Sequence, residues 1–374
     1  MKYYIIAGEA SGDLHASNLM CHLKSKDTEA KFRVWGGDRM EKQGGELVKH
    51  YRDLAFMGFA EVAANLRTIL QNISLCKSDI LEFNPDVVIL VDYPGFNLRI
   101  AKFASTNGFR VFYYISPQVW AWKKSRVKKI RKFVERMYVI LPFEKGFYSG
   151  YGVDVDFVGH PLLDAIENEK KSLNPPAVFR EKYNLDKRLI IALLPGSRKQ
   201  EISKMLPEMI SVAKEFSDYQ FVVAGAPSVP ESFYREIIGT ADVKMVFGAT
   251  HDLLHNAYAG LITSGTATLE TALLDVPEVV CYKGSNISYQ IAKRIVDVKY
   301  ISLVNLIMDR EVVTELIQAD LNKNNLSASL RDILSIETRK RIFGDYKLLR
   351  EKLGGTGASE TAAQLMVERL KQGN

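Results

Sequence analysis

The sequence predicts an α/β fold made of two doubly wound, Rossmann-like domains that face a cleft, and three observations lead to this prediction. Short, nearly continuous apolar runs recur along the chain, as expected for parallel strands that are covered on both faces. Stretches long enough for crossover helices separate these runs. The 374 residues exceed what one core usually holds, and segment 165–187, rich in Glu, Lys, Asn and Pro, divides the runs into two groups.

The domain boundaries follow from this division. We expect an N-terminal domain over residues 1–165, a C-terminal domain over 166–340, and C-terminal helices over 341–374 that pack back on an N-terminal domain. The predicted strands, in chain order, are Tyr3–Ala7, Phe32–Trp35, Val87–Val91, Val111–Ile115, Met137–Leu141, Leu189–Leu194, Gln220–Ala224, Val243–Phe247, Gly260–Thr263 and Glu278–Tyr282.

The composition is that of an ordinary globular protein, with 47% hydrophobic and 25% charged residues and a net charge of +6. No apolar run approaches the roughly 20 residues of a membrane-spanning helix, and the N-terminus has no signal-peptide pattern, so we expect a cytoplasmic protein. Three scattered cysteines argue against a disulfide framework. His251 and His255 lack a third ligand, which favours a surface helix over a metal site, and no metal or cofactor is expected.

The first candidate motif follows the first predicted strand. Gly8–Asp13 is a glycine-containing turn with two acids, Glu9 and Asp13, and it lacks the Gly-x-Gly-x-x-Gly order of a dinucleotide site. Two carboxylates repel a pyrophosphate, so a sugar or another hydroxyl-bearing acceptor fits this turn better, with Ser11 and Asp13 as contacts. The alternative is that Asp13 only caps the following helix.

A second carboxylate stands at the end of the predicted strand Val87–Val91. Asp92 lies where α/β folds place their chemistry, at the carboxyl edge of a sheet. It is the candidate general base, because transfer to a hydroxyl group requires removal of that group's proton. The alternative is an Asx-turn that stabilises the end of the strand.

Segment 116–136 contains two tryptophans followed by eight basic residues and one acid. Helical spacing puts Val127, Ile130, Val134 and Met137 on one stripe, which predicts an amphipathic basic helix. An anionic membrane surface and a merely solvated face remain equally open, while nucleic acid is less favoured. The membrane interpretation takes Trp120, Trp122, Lys123, Lys124 and Arg126 as contacts, and the apolar stretch Leu54–Leu70 as a further apolar patch.

The second half offers two turns suited to anions. Leu189–Leu194 runs into Gly196, Ser197 and Arg198, and a later strand ends in Ser264, Gly265 and Thr266 at a predicted helix start, with Glu270 one turn further on. Helix N-termini and a permanent Arg charge bind diphosphates, and a carboxylate accepts hydrogen bonds from ribose hydroxyls. These features point to a nucleotide-diphosphate donor. The alternatives are an ordinary capped helix and a Pro-Gly turn with a surface arginine.

Together these motifs resemble the lipid-A-disaccharide synthases, bacterial glycosyltransferases of lipopolysaccharide biosynthesis that have the two-Rossmann B fold. The resemblance covers nearly the whole chain. The matching segments are Gly8–Asp13, Met57–Val62, Ser116–Trp122, Leu141–Glu144, Leu194–Arg198, Ser264–Ala267 with Glu270, and Ser302–Leu306.

The resemblance implies an inverting, metal-independent transfer of 2,3-diacylglucosamine from UDP to the 6-hydroxyl of 2,3-diacylglucosamine 1-phosphate, at the surface of the inner membrane. It implies that Asp92 is the base, that Arg198 meets the donor diphosphate and that Glu270 meets the ribose. The 264–266 turn would hold the phosphates, and Asn305 would be a further donor-binding residue. Family members often carry a second acid where this chain has Gly95, so Glu9 is the expected assistant of Asp92.

Two other functions remain open at the level of sequence. Another UDP-sugar enzyme of the same fold, either a lipid-linked N-acetylglucosaminyltransferase or a UDP-sugar epimerase, would share the nucleotide turns. A membrane- or RNA-binding module built on residues 120–136 would leave those turns unexplained. An oligomer is possible on either view.

Overall fold

The computed structural model describes residues 1–54, 66–122, 124–284 and 299–372, which form two parallel β-sheets interleaved with helices. The chain divides into two compact units, Met1–Pro161 with Leu353–Asn374 and Leu162–Lys352. The sequence predicts changes of domain after residues 165 and 340, whereas the units change after Pro161 and Lys352. Residues 341–352 therefore belong to the second unit, and only the last helix returns to the first.

The first unit is built on a seven-stranded sheet of order β3-β2-β1-β4-β5-β6-β7, in which every pairing is parallel. Its strands are β1 Lys2–Ala7, β2 Lys31–Gly36, β3 Gly45–His50, β4 Val87–Val91, β5 Arg110–Tyr114, β6 Arg136–Val139 and β7 Val155–Phe157. Its helices are α1 Ala10–Lys26, α2 Asp38–Lys42, α3 Leu66–Phe83, α4 Pro94–Thr106, α5 Val119–Trp122, α6 Val127–Phe133, α7 Pro142–Ser149 and, near the C-terminus, α17 Ala358–Lys371.

Both faces of this sheet are buried, which explains the near-continuous apolar runs in its strands. Along β1, Tyr4 and Ile6 enter the core on one face, while Tyr3 and Ile5 enter the core on the other. The α17 helix packs on α1 and contributes Met366 to the second of these cores.

The second unit has a six-stranded parallel sheet of order β10-β9-β8-β11-β12-β13. Its strands are β8 Leu189–Leu194, β9 Tyr219–Gly225, β10 Val243–Phe247, β11 Ala259–Thr263, β12 Glu278–Tyr282 and β13 Thr314–Ile317. Its helices are α8 Pro161–Lys170, which begins at the unit boundary, α9 Pro176–Lys182, α10 Lys199–Ser211, α11 Glu231–Ile238, α12 Thr250–His255, α13 Thr266–Leu273, α14 Leu303–Met308, α15 Lys323–Leu334 and α16 Ile336–Lys352.

These sheets confirm the predicted α/β fold of two doubly wound domains. The amphipathic helix predicted from the stripe is shorter than expected: α6 ends at Phe133, so Val134 follows the helix and Met137 lies in β6. Among the residues that the structure describes, no helix is long and apolar enough to span a membrane.

Candidate active site

In the first unit, two predicted catalytic residues follow neighbouring strands of the sheet. Glu9 comes two residues after the end of β1, and Asp92 comes directly after β4. The two strands are paired in parallel up to Ala7 and Val91, so both carboxylates leave the same edge of the sheet. This edge is where ligands bind in open α/β sheets.

The backbone at Asp92 is held in an unusual conformation. Asp92 and Tyr93 have φ angles of 43° and 48°, in the left-handed region that non-glycine residues rarely adopt. Asn97 Nδ2 donates a hydrogen bond of 2.7 Å to the Asp92 carbonyl, and the Tyr113 hydroxyl donates to the same oxygen. Consecutive residues of this kind persist only where the surroundings enforce them, and they concentrate at functional sites.

The carboxyl group of Asp92 is suited to accept a proton near neutral pH. Burial raises its pKa to about 6, with a further increase from the negative charge of Glu9 and an opposing effect of a backbone hydrogen bond at Tyr93. A base whose pKa lies just below the working pH is ionised yet still basic. The structure therefore places Glu9 where its charge acts on Asp92, and the assisting role of Glu9 stays a prediction.

Glu9 is the residue that precedes α1, and its side chain does not cap that helix. Its backbone carbonyl accepts the first helical hydrogen bond, from Asp13 N at 2.9 Å. The Glu9 and Ser11 side chains are exposed at the start of α1, where they remain accessible to a ligand.

Asp13 has a different role from the predicted acceptor contact. Its carboxylate is buried and accepts hydrogen bonds from the backbone N–H groups of Gly37, at 2.7 Å, and of Arg39 and Met40, both at 3.2 Å. These groups lie at the N-terminus of α2, so Asp13 caps a helix other than its own. We therefore correct the acceptor interpretation: Asp13 stabilises the fold.

The tryptophan segment packs against α7. The ring of Trp120, 8% exposed, and the ring of Phe143 form a T-shaped pair with centroids 5.0 Å apart, and the Ser116 and Tyr148 hydroxyls are hydrogen-bonded at 2.7 Å. The predicted membrane contact is therefore corrected for Trp120, which lies inside the first unit. Arg126 is partly buried just before α6.

Several predicted contacts cannot be placed. Lys123 and the Met57–Val62 motif lie outside the described residues, as do the side chains of Trp122 and Lys124. Of the predicted apolar stretch, Leu54 is buried and Leu70 is 53% exposed.

A buried acid that was not predicted as a site residue lies beside this segment. Glu144 Oε2 accepts a hydrogen bond of 3.0 Å from Leu141 N and so caps α7. Burial raises the pKa of Glu144 to about 7. The sequence signal was available, because Pro142 followed by Glu144 is typical of a helix start.

In the second unit, the turn after β8 already holds a carboxylate of its own chain. Gly196 has a φ of 115°, which only glycine adopts easily. Glu201 reaches back over it: its Oε2 accepts from Ser197 N at 3.1 Å, and its Oε1 accepts from Arg198 Nη1 at 2.7 Å. A donor diphosphate at this turn must therefore compete with Glu201. The sequence interpretation missed this contact, although an acid three residues after Arg198 is the pattern of a residue that caps a helix start.

The turn after β11 leaves a helix N-terminus open. Gly265 has a φ of 148°, and Gly265 and Thr266 are exposed at the start of α13, which carries no acid in its first turn. The Ser264 hydroxyl donates to the Ile301 carbonyl at 2.9 Å. That hydroxyl positions the turn, so the backbone N–H groups of α13 are the donors best placed for a phosphate.

Asn305 lies fully buried behind this turn. Its Nδ2 donates to Glu315 Oε1 at 2.9 Å and to the Val313 carbonyl at 2.8 Å, while Oδ1 accepts from two backbone N–H groups. Glu315 also accepts from the backbone of Ile301 and Ser302 at 2.9 Å. The predicted donor contact is therefore corrected: Asn305 and Glu315 fix the segment to which Ser264 is bonded.

Glu270 is partly exposed on α13 and faces His251 of α12, with Nε2 of the imidazole 3.5 Å from Glu270 Oε2. His251 also lines a cavity of about 480 Å³, whose other lining residues are Glu169, Ser172, Leu173, Gly248–Thr250 and Asp252. Within the described ranges, no group of three or more His, Cys, Asp or Glu side chains is arranged to hold a metal ion.

The sequence comparisons agree with one another over nearly the full length of the chain. A family model described as lipid-A-disaccharide synthetase matches residues 3–368. A lipid-A-disaccharide synthase of Syntrophus aciditrophicus is 41% identical over 376 residues, covering 98% of this chain and 97% of that protein. One from Acidobacterium capsulatum is 37% identical over 378 residues, with 96% and 93% covered.

Solved structures of the same architecture are more distant in sequence. The UDP-GlcNAc 2-epimerase of Neisseria meningitidis bound to UDP-GlcNAc superimposes with a TM-score of 0.67 at 12% identity, and all of both chains is covered. The calicheamicin glycosyltransferase CalG4 superimposes with a TM-score of 0.60 at 14% identity and 98% coverage of each chain. At these identities the likeness shows the two-domain glycosyltransferase B fold alone.

Proposed function

The chain belongs to the lipid-A-disaccharide synthetase family, and from this premise we propose that Asp92 is the base of its transfer reaction. The reaction joins two acylated sugars: 2,3-diacylglucosamine passes from UDP-2,3-diacylglucosamine to the 6-hydroxyl of 2,3-diacylglucosamine 1-phosphate, which gives the lipid A disaccharide 1-phosphate and UDP. The protein is thus a hexosyltransferase of lipid A biosynthesis.

The observation that carries the base assignment is the position of Asp92. It stands at the carboxyl edge of the first sheet, in an enforced left-handed conformation, with a pKa raised to about 6. The Asp92 carboxylate accepts the proton of the acceptor 6-hydroxyl while the oxygen attacks C1 of the donor sugar. The C1–O bond to UDP breaks, its electron pair leaves with UDP, and the configuration at C1 inverts to β.

On the donor side, three features of the second unit bind UDP in this proposal. The α13 N-terminus at Gly265 and Thr266 binds the phosphates, and Arg198, released from Glu201, neutralises the charge that develops on the departing UDP. Glu270 accepts hydrogen bonds from the ribose hydroxyls. We propose that these groups serve without a metal ion, so that turnover continues in excess EDTA.

An epimerase is the second candidate, because such enzymes share the fold. That likeness concerns architecture, whereas relatives of 35–41% identity that cover 97–98% of this chain are named lipid-A-disaccharide synthases. An epimerase also needs no acceptor sugar. The family assignment therefore favours transfer.

The experiment that tests the proposed chemistry is identification of the product. Purified protein is incubated with both lipid substrates in detergent micelles, and the isolated product is analysed by NMR for its anomeric coupling and its linkage position. A β-1′,6 disaccharide is expected. An α-linked product would contradict direct attack assisted by Asp92, and a C2-epimerised monosaccharide would support the second candidate.

We also propose that the enzyme works peripherally on the anionic inner membrane through α6. Lys128, Lys129, Arg131 and Lys132 are exposed on this helix, while Val127 and Ile130 are buried beneath it. Each cation near an anionic surface contributes about 1 kcal/mol to binding. Replacing the four cations with Gln should abolish sedimentation with phosphatidylglycerol vesicles and leave UDP affinity unchanged; full retention of vesicle binding would contradict the assignment of α6.

A further inference from the structure

His251 lies between two carboxylates that come from different helices. It is in the first turn of α12; Glu169 lies at the end of α8, and Glu270 lies on α13. His251 Nδ1 is hydrogen-bonded to Glu169 Oε2, and Nε2 is 3.5 Å from Glu270 Oε2. The sequence predicts that this histidine lies on a surface helix, and its two partners are too distant in sequence to be predicted from spacing.

Both nitrogens of His251 face acceptors, and only the protonated imidazole has a donor on each nitrogen. The interaction with Glu270 is the main cause that raises the pKa of His251 to about 9; Glu169 adds to it, and burial opposes it. The neighbouring carboxylate of Asp252 is directed elsewhere, to the backbone N–H of Asn174 at 2.8 Å and to its side chain at 2.7 Å. The imidazolium is therefore shared by Glu169 and Glu270.

This arrangement restricts the Glu270 side chain. A glutamate has three rotatable bonds, and ordering it when a ligand binds costs conformational entropy. The ion pair engages Oε2, and among the residues that the structure describes no hydrogen bond engages Oε1. One oxygen of Glu270 is thus fixed by His251 while the other remains available to a ligand.

We propose that His251 is a positioning residue of the donor site: it holds Glu270 in the orientation that accepts hydrogen bonds from the ribose hydroxyls of the UDP-sugar, and Glu169 holds His251 in turn. This inference rests on the proposed function, in which Glu270 binds the ribose. A merely structural histidine would tie α8 to α12 and leave recognition of the ribose untouched.

The test measures binding of UDP, 2′-deoxy-UDP and 3′-deoxy-UDP by calorimetry to wild type and to Glu270→Gln, His251→Gln, Glu169→Gln and His251→Gln/Glu270→Gln. His255→Gln is the matched control, because His255 is exposed at the end of the same helix. The UDP preference, which is the ratio of UDP affinity to deoxy-UDP affinity, reports ribose recognition separately from overall binding. Circular dichroism and thermal melting establish that each variant is folded.

We expect His251→Gln to weaken UDP binding about tenfold, as loss of a charged hydrogen bond does, and to lower the UDP preference toward that of Glu270→Gln. The double variant should bind UDP no more weakly than Glu270→Gln alone, since both changes remove one interaction. Glu169→Gln should have a smaller effect in the same direction, and His255→Gln should have none. His251→Lys, which restores a cation, should recover part of the preference.

Two outcomes would overturn the inference in distinguishable ways. If Glu270→Gln removes the UDP preference and His251→Gln leaves it intact, Glu270 binds the ribose without help from His251. If Glu270→Gln itself leaves the preference intact, the ribose role in the proposed function fails, and the positioning role of His251 fails with it. If His251→Gln does not fold, Glu169→Gln and His251→Lys decide between the same outcomes.

Discussion

The ring of Tyr93 lies directly over Gly8: a Cβ placed at Gly8 would fall 2.3 Å from Tyr93 Cγ. Gly8 begins the turn that carries Glu9, and Tyr93 follows Asp92. The close approach therefore packs the turn after β1 against the turn after β4 and links the surroundings of the two carboxylates. Only a residue without a side chain permits it.

Gly8→Ala should damage the site, because its methyl group displaces the Tyr93 ring and with it the enforced backbone at Asp92. Overpacking of this kind typically costs about 1–3 kcal/mol of folding stability, and kcat should fall more than the stability loss explains. The matched control is Gly95→Ala, since a Cβ at Gly95 meets open space. Equal kcat values for the two folded variants would contradict this account of the Gly8–Tyr93 contact.

The pH dependence of kcat/KM should show one acidic limb that belongs to Asp92. Its folded-state pKa is raised from 3.8 to about 6, so the base is protonated and inactive below that pH and ionised above it. Glu9→Gln removes a neighbouring negative charge and should move the limb to lower pH. If the acidic limb does not move in Glu9→Gln, measured with the same substrates, then the charge of Glu9 does not affect the pKa of Asp92.

In the proposed donor site, Glu201 and the donor diphosphate compete for Arg198. The ion pair is largely exposed and contributes up to about 1 kcal/mol, so Glu201→Gln should tighten UDP binding by at most about fivefold. Arg198→Ala should weaken UDP binding, whereas Arg235→Ala, which breaks an exposed pair on another helix, should not change it. If Arg198→Ala binds UDP with unchanged affinity, Arg198 does not contribute to donor binding.

Asn305→Asp keeps the shape of the side chain but places a second carboxylate 2.9 Å from Glu315. A partly buried like-charge contact, with an unpaired carbonyl at Val313, should lower the free energy of unfolding by about 1–3 kcal/mol, as measured by urea denaturation. Asn322→Asp is the control, because Asn322 is partly exposed and Asp caps a helix equally well. A variant as stable as wild type would mean that Asn305 does not hold the segment to which Ser264 is bonded.

Local sequence patterns predict most of the fold. The ten predicted strands are present because each has a long apolar run or lies against such a strand in the sheet. The three strands that were missed, β3, β7 and β13, all lie at sheet edges, where only one neighbour covers the strand and fewer positions need to be apolar.

The site is predicted less completely, for a physical reason. Asp92 and the α13 N-terminus are visible because strand-end and helix-start patterns are local. The capping of α2 by Asp13, the pairing of His251 with Glu169 and the bonding of Asn305 to Glu315 depend on tertiary contacts. Local propensity carries no information on such partners, so side chains that serve the fold resemble ligand contacts until their partners are known.

The role of Asp92 as the base is tested by UDP release from UDP-2,3-diacylglucosamine in micelles, with and without 2,3-diacylglucosamine 1-phosphate, for wild type and Asp92→Ala. We expect release by wild type only when the acceptor is present. In Asp92→Ala we expect a decrease of about 10²–10⁴-fold, the usual contribution of a general base, with UDP affinity unchanged. Release that ignores the acceptor, or an Asp92→Ala variant that retains full turnover, would contradict the account.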